Sequence, residues 1–267
     1  MTFVHAGDAK EFLQNLEDES VDLLLTDPPY FGIVENDWDN KWESEADFAR
    51  WLSDIFLTAL PKLTPTGSLV FFGAMGKHKI HPLFRVVPAL EDGGYTYRNW
   101  LTWKKRRAYG KSHDYLYTRE EILWFSKSPD RTSVTFNIPL LDTLRGYTHI
   151  DYKKKNKDGK QYEAKSPFLR VSNVWTDIDP IIEETEIMGK KEHICQKPPK
   201  LMERLIATHS NEGQLVVDPF CGSGSTGVSA VTLRRRFLGS EAMPEEAVKA
   251  DARIAAALQP EGALALF

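Results

Sequence analysis

Two short stretches hold residue types at spacings that suit chemistry. The first is Asp27-Pro28-Pro29-Tyr30, directly after the apolar run at 21–26. Proline fixes φ and has no N–H. The carbonyls of such a turn are not committed to a helix, and Asp27 sets a carboxylate beside them. The set consists of acceptors only, which suits a donor with two hydrogens, an –NH2 group. Tyr30 adds a flat face for stacking. The plainer use of the same tetrapeptide is a stiff strand-to-loop turn with Asp27 as a cap.

The second stretch is "VVDPFCGSGSTGVSA" at 216–230. It reads as a strand, an acid (Asp218), a glycine-rich turn and a helix. Gly222, Gly224 and Gly227 permit tight backbone and close approach of a ligand. Open α/β sheets bind nucleotide-like cofactors at such a turn. No Gly-Lys-Ser/Thr follows, so the turn is not a phosphate loop. Glu241 ends the next strand, "RFLGSE". A carboxylate there can accept both hydroxyls of a ribose.

Both stretches need a sheet to hold them. Strand patterns fall at 2–6, 21–26, 68–73, 98–103, 121–127, 214–220 and 236–241. Helical patterns run from the N-cap Asp8 to about 16, over 45–60, over roughly 77–91, over 197–209, from the glycine turn to about 235, and from Pro244 onward. Alternating strands and helices imply a doubly wound, mostly parallel α/β sheet. The strand at 21–26 is nearly all apolar, as expected of a strand covered on both faces. The pattern lapses between about 128 and 190, where "DYKKKNKDGKQYEAK" is polar and without period.

The chain has 267 residues, 42% hydrophobic and 27% charged, an ordinary globular profile that excludes global disorder. Net charge is −4, so a nucleic-acid site must be a local patch rather than a whole-chain property. Two such patches exist. Arg98, Lys104, Lys105, Arg106, Arg107, Lys111 and Arg119 face one acid, Asp114, in the window 97–119; Lys153, Lys154 and Lys155 lie in the window 150–170. Tyrosines are interleaved in both. Such patches can neutralise phosphates. The two cysteines form no disulfide framework, and Cys221 reads as a small buried residue. No signal peptide or membrane span is apparent, so a soluble, cytoplasmic protein is expected.

The pair "DPPY" and "DPFCGSGST" resembles the β-group S-adenosylmethionine-dependent DNA amino-methyltransferases. The order, catalytic motif first and cofactor motif near the C-terminus, is that of this group. "NWLTWKK…REEILWFSKS", "NVWTDI" and "HICQKPPKLMERLIATH" are similar to further segments of the family. The resemblance implies a circularly permuted, seven-stranded Rossmann-like methyltransferase sheet with an inserted target-recognition region. The implied division is 1–129 (catalytic half), 130–172 (target recognition) and 173–267 (cofactor half).

It further implies methyl transfer from S-adenosylmethionine to adenine N6 in a specific DNA sequence, with base flipping, release of S-adenosylhomocysteine and no metal. Cytosine N4 is the alternative target, and a non-catalytic cofactor-binding nucleic-acid module is the alternative class. Implied catalytic residues are Asp27, Pro28, Pro29 and Tyr30. Implied cofactor residues are Asp8, Asp27, Lys197, Asp218, Pro219, Phe220, Gly222, Ser223, Gly224, Ser225, Thr226, Glu241 and Ala242. Lys104, Lys105, Arg106, Arg107, Lys111 and Lys153 to Lys155 are the candidates for DNA contact. The expected partner is double-stranded DNA, with room for a cognate restriction endonuclease; monomer and homodimer are both open.

Overall fold

Strand β2, Val21–Thr26, has its hydrophobic residues wholly buried, as its composition requires. Its one acid, Asp22, accepts the Leu215 N–H at 2.8 Å and so ties β2 to the start of β9, Leu215–Asp218. The computed structural model describes residues 2–31, 42–73, 81–109, 113, 115–144, 166–180 and 196–258.

The other strands of the main sheet are β1 (Val4–Ala6), β3 (Leu63–Gly73), β4 (Thr96–Tyr109), β5 (Tyr117–Ser126), β8 (Val174–Trp175) and β10 (Arg236–Glu241). Their order is β1-β10-β9-β2-β3-β5-β4-β8. Strands from β1 to β3 in this order pair in parallel, β5 is antiparallel to both β3 and β4, and β8 is parallel to β4. The late strands β9 and β10 thus sit between β1 and β2, which is the permuted arrangement.

The expected seven-stranded sheet has eight strands among the described residues. The additional one is β8, where Val174 and Trp175 align with Thr102 and Trp103. The Trp103 indole N–H donates to the Ile178 carbonyl at 2.8 Å, and the Arg204 guanidinium lies 4.9 Å from the Trp175 ring centre. These contacts pin a segment too short to show a strand period. Strand β3 starts at Leu63, earlier than expected. Leu63 aligns with Val21 and Ser68 with Leu23, so the intervening residues bulge out around Pro65, which cannot donate to a ladder.

The helices are α1 (Ala9–Gln14), α2 (Glu45–Ala59), α3 (Leu83–Asp92), α4 (Pro199–His209), α5 (Ser225–Thr232) and α6 (Pro244–Ala257). Phe12, Leu13, Phe48, Leu52, Phe56, Val86 and Leu90 from α1 to α3 share one core with Leu24, Leu69, Phe71 and Val217 of the sheet. Leu23, Leu25, Val70 and Phe72 are equally buried, and the two-residue strand period puts them on the other face, where α4 packs on β2.

A second compact unit spans 138–172 and contains a two-stranded antiparallel sheet, β6 (Leu140–Leu144) with β7 (Phe168–Arg170). This unit starts inside the expected insertion at 130–172. Residues before 138 belong to the larger unit: the Thr135 N–H donates to the Thr66 carbonyl at 3.2 Å, and the Phe136 ring stacks on Trp124 at 5.0 Å.

Candidate active site

Strands β2 and β9 are parallel neighbours, with Leu23 opposite Val216 and Leu24 opposite Val217. From β2 the chain runs through α2 to β3 on one side; from β9 it runs through α5 to β10 on the other. The connections diverge here, so a crevice opens outside the carboxyl ends of these two strands, the usual ligand position in such sheets. The tetrapeptide from Asp27 leaves β2 into that crevice and the glycine turn leaves β9 into it. Helix α2 anchors both: Phe31 packs on Phe48 at 5.8 Å between ring centres, and Phe220 on Trp51 at 5.7 Å.

On the β2 side two carboxylates share their partners. Lys197 pairs with Asp27 Oδ2 and lies 3.0 Å from Glu120 Oε1. The Tyr30 hydroxyl is 2.5 Å from both Asp27 Oδ1 and Glu120 Oε1. With one hydrogen it donates to one of them at a time. Lys105 Nζ is 2.5 Å from Glu120 Oε2. Glu120 and Lys197 are buried, and the Asp27 side chain is 23% exposed, enough to meet a ligand.

Burial and shared charge divide the roles of these groups. Burial raises the Asp27 carboxyl above its ordinary value against the pull of Lys197, and the charge of Glu120 adds to the rise. Burial pushes Glu120 upward too, but Lys197 and then Lys105 outweigh it and hold Glu120 down to about 2. The Tyr30 hydroxyl is pushed well up by burial and then by both carboxylates, so it stays protonated. For Lys197, Asp27 and Glu120 together overcome the effect of burial and raise it. The arrangement sets a buried ammonium, a second, buried carboxylate and a protonated tyrosine around the partly exposed Asp27.

On the β9 side Asp218 is buried and turned inward. It accepts the Thr26 hydroxyl at 2.5 Å, the Thr226 hydroxyl at 2.6 Å and the Phe220 N–H at 3.0 Å. Asp218 and Thr226, both expected at the cofactor, use their side chains to lock the glycine turn to the end of β2. Lys197, also expected on the cofactor, pairs with Asp27 and Glu120. Asp8 caps α1 by accepting the Lys10 N–H at 2.9 Å and the Glu11 N–H at 3.1 Å.

The turn itself is shaped to receive a ligand. Gly222 and Gly224 have φ of 49° and 82°, a region side chains resist. Among the described residues a Cβ on Gly222 would meet nothing nearer than the Phe220 carbonyl at 4.0 Å, which leaves room above the turn. Glu241 Oε2 accepts the Gly222 N–H and Oε1 the Met243 N–H, each at 3.0 Å. Each oxygen keeps a lone pair for a ribose hydroxyl. Pro219 lies below, its carbonyl accepting the Ser240 hydroxyl at 2.8 Å. Ser223 and Ser225 set their hydroxyls 3.3 Å apart on the turn, and Ala242 is exposed beyond Glu241. The open, acid-rimmed cradle fits an adenosyl sulfonium.

Of the basic candidates, Lys104 is exposed on β4. Lys105, expected at phosphates, is paired with Glu120. The side chains of Arg106 and Arg107, and Lys111 and Lys153 to Lys155 entirely, lie outside the described residues. Glu120 was missed in the sequence because Glu120 and Glu121 stand side by side in "REEIL", with no sign of which of them faces Asp27. Among the described residues no cluster of His, Cys, Asp and Glu could hold a metal, and no helix is long and apolar enough to cross a membrane.

The model for the family described as DNA methylase matches residues 21–251. This chain belongs to the DNA methylase family. The type II methyltransferase M2.DpnII of Streptococcus pneumoniae is similar at 32% identity, over 92% of this chain and 86% of its own length. The fold is shared with two solved structures. TTHA0409 of Thermus thermophilus, complexed with S-adenosyl-L-methionine, superposes with a TM-score of 0.63 at 24% identity, over 97% of this chain and 96% of that one. The cytosine-N4-specific PvuII DNA methyltransferase superposes with a TM-score of 0.69 at 22% identity, over 97% and 86%. As a DNA methylase, the chain is a site-specific DNA methyltransferase that uses S-adenosylmethionine.

Proposed function

We propose that the target is the N6 amino group of adenine in double-stranded DNA. The carrying observation is Asp27: a carboxylate, partly exposed, directly after the strand that pairs with β9, from which the cofactor turn leaves. By resemblance, Asp in the first position of the tetrapeptide goes with adenine and Ser with cytosine N4. The M2.DpnII relative supports a type II setting, in which a restriction endonuclease recognises the same site.

The cofactor supplies an electrophilic methyl group on a sulfonium, above the turn framed by Gly222 and Glu241. The amino nitrogen of adenine is a weak nucleophile, because its lone pair is delocalised into the ring. Asp27 and the Pro28 carbonyl accept its two hydrogens, rotate the group and localise that lone pair. As the N–CH3 bond forms and the S–CH3 bond breaks, Asp27 is placed to take the displaced proton. Most of the rate comes from positioning and fixed charges. A stacked base cannot reach Asp27, so the adenine is flipped out of the helix. Tyr30 offers its ring to that base. Its hydroxyl, held between Asp27 and Glu120, fixes where the ring stands.

Lys104 is assigned to the phosphate backbone, and the unit 138–172 to reading base edges. Nucleoside analysis of DNA methylated by the protein tests the target: N6-methyladenine is expected, and N4-methylcytosine would move the chain to the other subtype.

A further inference from the structure

We infer that Glu120 is a positioning residue for methyl transfer: held by Lys105 and Lys197, it fixes Lys197 and the Tyr30 hydroxyl around Asp27 and keeps Asp27 a proton acceptor. The inference rests on the reading of Asp27 as the group that takes the amino hydrogens. Glu120 is buried on β5, away from both motifs in sequence. Its Oε1 is 2.5 Å from the Tyr30 hydroxyl and 3.0 Å from Lys197 Nζ, and its Oε2 is 2.5 Å from Lys105 Nζ. Two carboxylates and two ammoniums thus form a neutral set around one phenol.

The consequence lies in what happens when Asp27 is protonated. Without Glu120, a protonated Asp27 would leave Lys197 as a lone buried cation, which is costly. With Glu120 present, Lys197 keeps an anionic partner, and Asp27 can gain a proton without stranding it. The same negative charge opposes ionisation of Asp27. Two carboxyls in one site are thereby driven apart, one fixed as the anion and one left to exchange. The groups around Asp27 are Tyr30 on its own loop, Lys197 ahead of α4, Glu120 on β5 with Lys105 of β4 behind it, and Asp218 of β9. Beside burial, the charges among the described residues that oppose its ionisation are Glu120 and Asp218, and Asp218 is occupied by three donors.

The test is single-turnover methylation of duplex DNA against pH with saturating S-adenosylmethionine, using the full chain. Glu120→Gln should lower the rate about 100-fold with KM for DNA changed less than about threefold. Its acidic limb should move to lower pH by about one unit, because the charge that opposes ionisation of Asp27 is gone. A packing defect would lower the rate without moving the limb. Glu120→Asp keeps the charge but draws it back, so the limb should return toward wild type with a rate about tenfold down. An unmoved limb in Glu120→Gln, or a wild-type rate in either variant, overturns the inference. If Glu120→Gln fails to fold, judged by cofactor titration, the Glu120→Asp pH profile decides: a limb moved part of the way to lower pH supports the inference, and an unmoved limb or a wild-type rate overturns it. Asp27→Asn is run alongside. Turnover surviving there sinks the reading of Asp27, whereas a dead Asp27→Asn with an unaffected Glu120→Gln sinks only the role of Glu120.

Discussion

At the scale of single residues the site separates chemistry from binding. Asp27 pairs with Tyr30 and Lys197. Asp27→Ala should therefore abolish methyl transfer while cofactor affinity stays within a few fold, measured by tritium transfer and by calorimetry. Glu241 holds two backbone N–H groups of the cradle and still has lone pairs to offer. Glu241→Ala strands ribose hydroxyls and should weaken cofactor binding by about 1–3 kcal/mol. An unchanged dissociation constant by calorimetry would remove Glu241 from the cofactor site. Cys221, buried in the same turn with its thiol pushed well up by burial, is no nucleophile.

At the scale of elements, the join between β2 and β9 matters most. Asp218 links Thr26 at the end of β2 to Thr226 at the start of α5. Burial pushes its carboxyl up from 3.8 to about 6, against the pull of its three donors. The folded protein then holds a proton that the unfolded chain has released. Stability from Asp218 is therefore lost as pH rises through that window. The change is on the order of 3 kcal/mol. Asp27 acts in the same direction, so the informative quantity is the difference between variants. Asp218→Asn should show a flatter fall of melting temperature between about pH 4 and pH 6 than the wild type. Helix α5 also depends on its glycine. A Cβ at Gly227 would lie 2.4 Å from Ile254 Cδ1 and 2.7 Å from a Phe237 ring carbon. Gly227→Ala should destabilise the fold by about 1–3 kcal/mol, read by denaturant midpoint, through pushing α5 off α6 and β10.

At the scale of the whole molecule, chemistry and target choice are expected in different units. Lys104, exposed on β4, is free of the Glu120 pair that holds its neighbour. Lys104→Ala should weaken DNA binding alike on all sequences and shallow the salt slope by about one unit. Exchanging 138–172 for the matching unit of a relative should change which sites are methylated and leave the reaction at the amino group intact. Methylated positions mapped by sequencing check both. A changed site in the Lys104 variant, or an unchanged site after the exchange, would break this division.

Local signals determined much of this in advance. Apolar runs of strand length at 21–26 and 214–220 and the capped helices were legible because burial and capping act over a few residues. The two motifs were legible because proline and glycine restrict the backbone in ways few other residues share. Long-range pairing was not legible. Nothing in "NVWTDI" shows that Trp175 will meet Trp103, because a two-residue strand has no period. The partners of Lys197 were also hidden, since Asp27 and Glu120 reach it only once β2, β3 and β5 lie side by side and α4 packs on β2. Residue types fix what an acid or a lysine can do. Which acid is left to exchange a proton depends on desolvation and neighbouring charge, and those exist only in the folded sheet.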